Sequence, residues 1–392
     1  MDFSYTQEEE MFRKRLNEFL DKELTEEIAR QNWEDLGVGP EAREFSRKLY
    51  ENGFLGLPWP KEYGGQELSP TYDFILIDEL GKRWGAHVPL DVGYTMTGHT
   101  ILRRGSEEMK KEFLPKIIRG EIEFGLGYTE PNAGSDLASM MMKAEEKDDY
   151  YLINGQKTFN TESHYADYHW LAARTELDPD KPKHRGISLF IVDQRSPGIT
   201  IRPLITMSGE RTNEVFYDDV KVPKDRMVGE KNKGFYYMME AIDSERNHVF
   251  VPARLWPIVN DMISYVKATE YNGKLLSDDP QIQSKLAQMI IDLEVAQVLA
   301  DNARWLELNE LPMTMEPEIT KLVVSELEQR MVDDAMQILG LYGQLEEGSK
   351  WAPLRGRIEW YYLHSFLPTI GAGTSEVGRN VIAQRGLGLP RG

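Results

Sequence analysis

Three strings in this sequence gather hydroxyls, carboxylates, amides and glycines at close spacing: Gly127-Tyr128-Thr129-Glu130-Pro131-Asn132-Ala133-Gly134-Ser135-Asp136, Asn154-Gly155-Gln156-Lys157, and Gly373-Thr374-Ser375-Glu376-Val377-Gly378-Arg379-Asn380. A fourth, Ala241-Ile242-Asp243-Ser244-Glu245-Arg246, puts a carboxylate beside a guanidinium inside a helical pattern. A desolvated Glu can take a proton from carbon, but the ordinary fate of a helical Glu is a surface ion pair. Singly, strings rich in Gly, Asn and Ser are what turns are made of. Cysteine is absent, which removes thiolate nucleophiles, disulfides and cysteine-ligated zinc, so chemistry has to come from carboxylates, hydroxyls or a cofactor. The seven histidines show no metal-ligand spacing, and Gly371-x-Gly373 does not lead from a strand into a helix as a dinucleotide fingerprint would. Neither a metal nor NAD is expected.

Acidic residues number 65 against 46 basic ones, a formal charge of −19, which argues against a nucleic-acid partner. A phosphate-bearing ligand would need cations, helix N-termini or backbone amides placed locally. No apolar run reaches the roughly eighteen residues of a membrane span, and the opening Met1-Asp2-Phe3-Ser4 runs into the charged Gln7-Glu8-Glu9-Glu10 without a signal-peptide pattern. The expectation is a soluble, cytoplasmic protein with no membrane span.

The elements that must position these strings fall into three regions. From Tyr5 to about Gly120 apolar residues recur at helical spacing, as in Phe12, Leu16, Phe19, Leu20 and in Phe74, Ile77, Leu80. From about Phe124 to Met227 short β-branched and aromatic runs predict strands at 150–153, 169–172, 187–192, 199–201 and 215–222, with Asn154-Gly155, Pro197-Gly198 and Asp218-Asp219 read as turn signals. Beyond Gly234 three long helical blocks are predicted, 235–269, 281–307 and 318–341; Pro252 and Pro257 kink or break the first. Asp178–Lys183 reads as an exposed loop. At 392 residues, two or three domains are expected.

In their order and spacing, with the closing Gly386-Leu387-Gly388-Leu389-Pro390, the strings resemble the acyl-CoA dehydrogenase family over essentially the whole chain. The resemblance implies an α+β multidomain fold: a helical N-terminal domain (1–122), a β-barrel or sandwich middle domain (123–230) and a C-terminal four-helix bundle (231–392). It implies FAD as cofactor and α,β-dehydrogenation of an acyl-CoA thioester, with electron-transferring flavoprotein as acceptor. In such a reaction a carboxylate removes the α-proton while the β-hydride passes to the flavin. A thioester α-proton is a weak acid, so the carbonyl must be polarised and the carboxylate held in a dry site. Carried over residue by residue, Tyr128, Thr129, Phe159 and Thr161 match the flavin contacts. Gln337, Gly340, Thr374 and Glu376 match the adenosine-side contacts, and Ser135, Asp243, Arg246, Gly371 and Ala372 lie around the acyl-CoA.

Two departures carry information. The family's usual base lies in a Tyr-Glu-Gly-Thr string, which here reads Gly371-Ala372-Gly373-Thr374, and the methyl of Ala372 accepts no proton. In a minority of members the base comes instead from the first helix of the C-terminal domain and is followed by arginine, the pattern of Glu245-Arg246. Losing Tyr-Glu also removes bulk from the acyl site, which implies a branched, alicyclic or sterol side-chain substrate. Trp59-Pro60-Lys61-Glu62-Tyr63-Gly64-Gly65 and Lys183-His184-Arg185-Gly186-Ile187-Ser188 are similar to steroid-side-chain members. The second departure is Thr269, standing where the family has an arginine that reaches the FAD pyrophosphate of a neighbouring subunit. Either Lys267 or Lys274 compensates in a homotetramer, or a second subunit of a heterotetramer supplies the cation. A non-catalytic partner subunit and an acyl-CoA oxidase are the rival readings.

Overall fold

The computed structural model describes residues 2–25, 27–29, 39–83 and 91–390. The order of elements is helices, then a sheet, then helices. Contacts divide the chain into two compact units, Met11–Leu76 with Gly85–Glu245, and Met1–Glu10 with Ile77–Trp84 and Arg246–Gly392.

The first helices are α1 (Gln7–Glu23), α2 (Pro40–Glu51), α3 (Thr71–Gly81), α4 (His99–Arg104) and α5 (Glu107–Ile118). Each buries the stripe that its spacing predicts: Phe12, Leu16 and Leu20 on α1, and Phe74, Ile77 and Leu80 on α3. Helix α5 begins where the Ser106 side chain accepts a hydrogen bond from the Met109 amide at 3.2 Å, satisfying one of the donors a helix start leaves open. The rings of Trp59 and Tyr94 stack 5.0 Å apart, and the Tyr94 hydroxyl meets both Asp73 carboxylate oxygens at 3.0 Å.

The sheet comprises β1 (Phe124–Gly127), β2 (Lys143–Glu146), β3 (Tyr150–Lys157), β4 (Tyr168–Arg174), β5 (Ile187–Asp193), β6 (Ile199–Ile205), β7 (Arg211–Pro223) and β8 (Met227–Val228). Their order is β6-β7-β3-β2-β4-β5-β8, with β1 pairing in parallel to β4. Two turn signals from the sequence are corrected here. Asn154-Gly155 lies inside β3 and Asp218-Asp219 inside β7, at a register shift between Ile153 and Gly155. Gly155 takes φ 147° and Asp219 φ 51°, and Asn154 and Asp219 bond to each other twice, at 3.0 and 2.8 Å. Residues that usually close a turn here form a β-bulge, because both flanking runs stay paired across it. Pro197-Gly198 does join β5 to β6, and 178–183 is a loop.

Four long helices follow: α6 (Gly234–Val249), α7 (Trp256–Ala268), α8 (Pro280–Leu308) and α9 (Glu316–Leu339), then the short α10 (Arg357–His364) and α11 (Ser375–Val381). The block read as 235–269 is two helices. Pro252 opens a 3-10 turn and Pro257 sits in the first turn of α7, where its missing N–H costs nothing. Leu286, Met289, Leu293 and Ala296 of α8 pack with Val324, Leu327, Met331 and Ala335 of α9 in one apolar core with α7 and α10.

Candidate functional site

In the sheet unit, backbone pairing draws the flavin-motif residues together. The Thr158 amide donates to Thr129 O at 2.9 Å and the Leu126 amide to Thr161 O at 3.1 Å, so the ends of β1 and β3 present Thr129, Phe159 and Thr161 along one edge. Thr129 and Thr161 are half-buried, whereas Phe159 is 58% exposed and held at φ 54°. A large apolar ring displayed to solvent from a left-handed backbone is a costly arrangement, of the sort that persists at ligand sites. Next to it Asn160 is fully buried, and neither side-chain polar atom has a hydrogen-bond partner among the described residues. Such groups are ordinarily satisfied by water or ligand.

Beneath this edge sits a buried ion pair. The Lys157 ammonium, with no exposed surface, donates to Tyr128 O at 2.9 Å and to Glu130 at 2.9 Å. Glu130 also accepts from the Met141 and Met142 amides, at 2.7 and 3.0 Å. Burial pushes the Lys157 amine down to about 8 against the pull of Glu130. The Arg174 guanidinium completes the frame by donating to Met140 O at 2.9 Å and Ala138 O at 2.7 Å, and to Lys183 O and Arg185 O at 3.2 Å. These two cations fix the turn that carries Thr129 and the exit of the loop that carries the exposed Ser135.

Tyr128 is buried, and its hydroxyl accepts from the Trp170 indole at 2.8 Å. Its acidity is pushed far down, first by burial and in addition by the negative charge of Glu245, with the Trp170 bond opposing. The Glu245 carboxylate, half-buried on α6, is therefore near enough to this motif for its charge to be felt there, whereas Asp243 on the same helix is exposed.

A feature the sequence reading missed lies where the 176–186 loop meets the start of α6. A cavity of about 290 Å³ is lined by Glu176, Lys181, Arg185, Asn232, Lys233 and Tyr236. Lys181 and Arg185 stand four residues apart on that loop and Lys233 comes from the segment that opens α6, so only the fold brings the three together.

In the helical unit, Arg246 is the hub. Its Nη2 and Nε donate to Ala372 O at 2.8 and 3.2 Å, and its Nη1 lies 2.8 Å from Glu318 Oε1. Lys321 donates to Gly373 O at 2.5 Å. Ala372 (φ 50°) and Gly373 (φ 94°) are both left-handed; Gly371, Ala372, Gly373 and Thr374 are all half-buried. The Thr374 side chain accepts from the Val377 amide at 3.2 Å and so caps α11. In the first turn of that helix, backbone amide bonding followed by the Thr374 hydroxyl holds the exposed Glu376 carboxyl below its ordinary range. Gln337 and Gly340 lie elsewhere: Gln337 stands near the far end of α9, about 24 Å from Lys321 at the helical rise of 1.5 Å per residue, and Gly340 caps that end. Gln337, exposed, accepts from Lys285 at 2.7 Å and donates to Asp333 at 2.8 Å; Gly340, also exposed, faces open space where a side chain would begin. Thr269 ends α7 and leads into a two-residue hairpin, Glu270–Tyr271 with Lys274–Leu275, turned by Asn272-Gly273 at φ 51° and 75°. Lys267 and Lys274 are exposed there.

The residues present fit FAD, the cofactor that the resemblance implies. An exposed aromatic face, two half-buried hydroxyls and an unpartnered buried amide suit a planar ring with polar edges. Among the described residues no cluster of three or more metal-ligating side chains occurs, and no helix is long and apolar enough to cross a membrane.

Three family descriptions match in succession: acyl-CoA dehydrogenase, N-terminal domain, over 6–121; middle domain, over 125–220; and C-terminal domain, over 232–387. The chain is 34% identical to acyl-CoA dehydrogenase FadE26 of Mycobacterium tuberculosis over 399 aligned positions, covering 100% of this chain and 99% of the relative. Among solved structures it is similar to the ChsE4-ChsE5 complex from Mycobacterium tuberculosis (TM-score 0.89, 34% identity, 100% of both chains). It is also similar to the Tcur3481-Tcur3483 steroid ACAD (TM-score 0.91, 32% identity, 100% of both chains). Helical, sheet and helical regions in that order, an edge that fits a flavin, and full-length likeness converge: this chain belongs to the acyl-CoA dehydrogenase family, whose members are FAD-dependent oxidoreductases.

Proposed function

We propose that this chain dehydrogenates an acyl-CoA thioester carrying a bulky acyl group, with Glu245 as the base that takes the α-proton. The observation that carries the proposal is a half-buried Glu245 on α6, followed directly by Arg246, whose guanidinium donates to Ala372 O at 2.8 Å, together with the methyl of Ala372 itself. Bound FAD would supply the two-electron acceptor for the β-hydride. On the protein side, Tyr128, Thr129, Phe159 and Thr161 hold the flavin ring and Thr374 and Glu376 serve its adenosine end, while Gln337 and Gly340, at the far end of α9, are assigned to the adenosine end of a flavin held by a neighbouring subunit. Ser135, Asp243 and Arg246 are assigned to the acyl-CoA, and Gly371 and Ala372 to a wall with room for a branched, alicyclic or sterol side chain. Lys181, Arg185 and Lys233 give a chain of strong negative charge the local cations that CoA phosphates require. The domain limits 1–122, 123–230 and 231–392, a cytoplasmic location and electron-transferring flavoprotein as acceptor belong to the same proposal.

The assembly is proposed to be a heterotetramer with a second subunit of this family. Thr269 ends in a hairpin where an arginine would reach a neighbour's pyrophosphate, and two structures similar to this chain are described by paired components. A charge-assisted contact of that kind is worth about 1.5–3 kcal/mol.

The test is the visible spectrum of the purified protein, with FAD counted per chain, before and after anaerobic addition of a sterol side-chain CoA thioester. Bleaching in wild type and its absence in Glu245→Gln is expected. Equal bleaching in both removes Glu245 as base, and a preference for straight medium-chain thioesters removes the bulky substrate. A colourless chain that takes up FAD only with a partner favours the heteromer.

A further inference from the structure

We propose that Lys321 and Glu318, on the first turns of α9, are positioning residues for the Ala372–Gly373 turn; this rests on the reading of that turn as a wall of the acyl site.

Consecutive left-handed residues turn their carbonyls out of the neighbouring helical hydrogen bonds. The Ser375 amide is taken by Thr369 O, and the Gly378 and Val377 amides by Thr374, so the bonds of α11 and the preceding turn do not use Ala372 O or Gly373 O. Those two carbonyls are met by cations instead, Ala372 O by Arg246 and Gly373 O by Lys321. Glu318 fixes the direction of Arg246 through the 2.8 Å ion pair, and the Lys321 ammonium also lies 5.5 Å from the centre of the Phe250 ring. Arg246, Glu318 and Lys321 are 7%, 5% and 1% exposed.

Three buried charges are an expensive way to fill space, since apolar side chains of similar volume serve a core as well or better. What an apolar side chain cannot do is fix a carbonyl. The turn is over-determined in a second way, because a Cβ on Gly373 would lie 3.0 Å from Arg246 Nη2 and the residue sits at φ 94°. Ala372 is thereby kept at φ 50°, a conformation disfavoured for alanine, and its methyl direction is set by charges on α6 and α9. Where other members place a long carboxylate on this turn, here the backbone itself has to be held, and Arg246 of α6, oriented by Glu318, and Lys321 of α9 hold it.

The test uses the full chain in its purified assembly, with Lys321→Met, Lys321→Arg and Glu318→Gln compared with wild type. Hydrogen exchange of a peptide covering 369–375 reads the turn without substrate, and the ratio of kcat/KM for a sterol side-chain thioester to that for a straight-chain one reads the wall. Lys321→Met is expected to speed exchange and shift the ratio by roughly tenfold or more, the factor carried by one charge-assisted hydrogen bond. Lys321→Arg is expected to recover part of both. Lys321→Met that melts earlier but keeps wild-type exchange and selectivity would make Lys321 a packing residue and overturn the proposal. If that variant does not fold, Glu318→Gln is expected to give the same pair of changes, and wild-type values in it would overturn the proposal as well. Glu245→Gln, which tests the base, is expected to leave exchange at 369–375 unaltered, so failure of the two ideas is separable.

Discussion

The turn at Tyr128–Glu130 and the turn at Gly371–Thr374 are built alike and differ in what they carry. Each has a buried lysine donating to a main-chain carbonyl, Lys157 to Tyr128 O and Lys321 to Gly373 O, and each has a buried carboxylate beside the cation system, Glu130 and Glu318. The first turn keeps the hydroxyls of the family pattern. The second is held at left-handed backbone angles and carries the methyl of Ala372 and no carboxylate. A buried cation on a carbonyl fixes backbone direction whatever the side chain, so a turn can be held without a carboxylate of its own, and in the proposed reaction the base comes from a helix instead.

The sharpest way to break this comparison is to remove the proposed base. Glu245→Gln is expected to slow anaerobic flavin bleaching by roughly 10²–10⁴-fold, the usual contribution of a general base, with FAD content unchanged; stopped-flow absorbance measures it. A comparable loss in a variant of Gly371 or Ala372 alone would return the chemistry to the second turn. Next in size, Lys157→Met leaves Glu130 buried without its cation and should destabilise the sheet unit by about 3–5 kcal/mol in a urea titration, more than any surface lysine. A loss under about 1 kcal/mol would mean that Glu130 is satisfied by amides alone, and the likeness between the two turns would fail.

The frame of the sheet also has a pH signature. His169 on β4 is fully buried, 2.7 Å from the Tyr217 hydroxyl, and burial pushes its imidazole down to about 4. The unfolded chain therefore binds a proton that the folded one refuses between about pH 6.5 and 4. Stability falls as the pH drops through that window, by about 3 kcal/mol at its foot, and is fully present above pH 6.5. The difference in urea midpoint between wild type and His169→Gln, followed across the window, should shrink as the pH falls. A difference that stays constant with pH contradicts the assignment. The smallest effect expected is at the hairpin: Thr269→Arg should tighten FAD retention about tenfold in a homomeric preparation, measured by flavin release on dilution. No change there favours a partner subunit as the source of the cation.

Periodicity carried the order of helices, sheet and helices, because apolar stripes at 3.6 and 2 residues have one way each to be buried. The bounds of α8 and α9 lie within two residues of the sequence reading. Where periodicity was outweighed, the reason is local: prolines divide 235–269 into two helices, and Asn154-Gly155 and Asp218-Asp219 bulge because the pairing of β3 with β7 continues past them. The family strings, the missing carboxylate at position 372 and the threonine at 269 were legible as residues in order. What only the tertiary structure decided is which distant groups meet. That Lys157 lies under Tyr128, that Arg246 and Lys321 hold the carbonyls of 372 and 373, and that Lys233 joins the loop's Lys181 and Arg185 around one cavity all depend on residues far apart in sequence. A buried charge finds its partner through the packing around it, and no spacing along the chain encodes that.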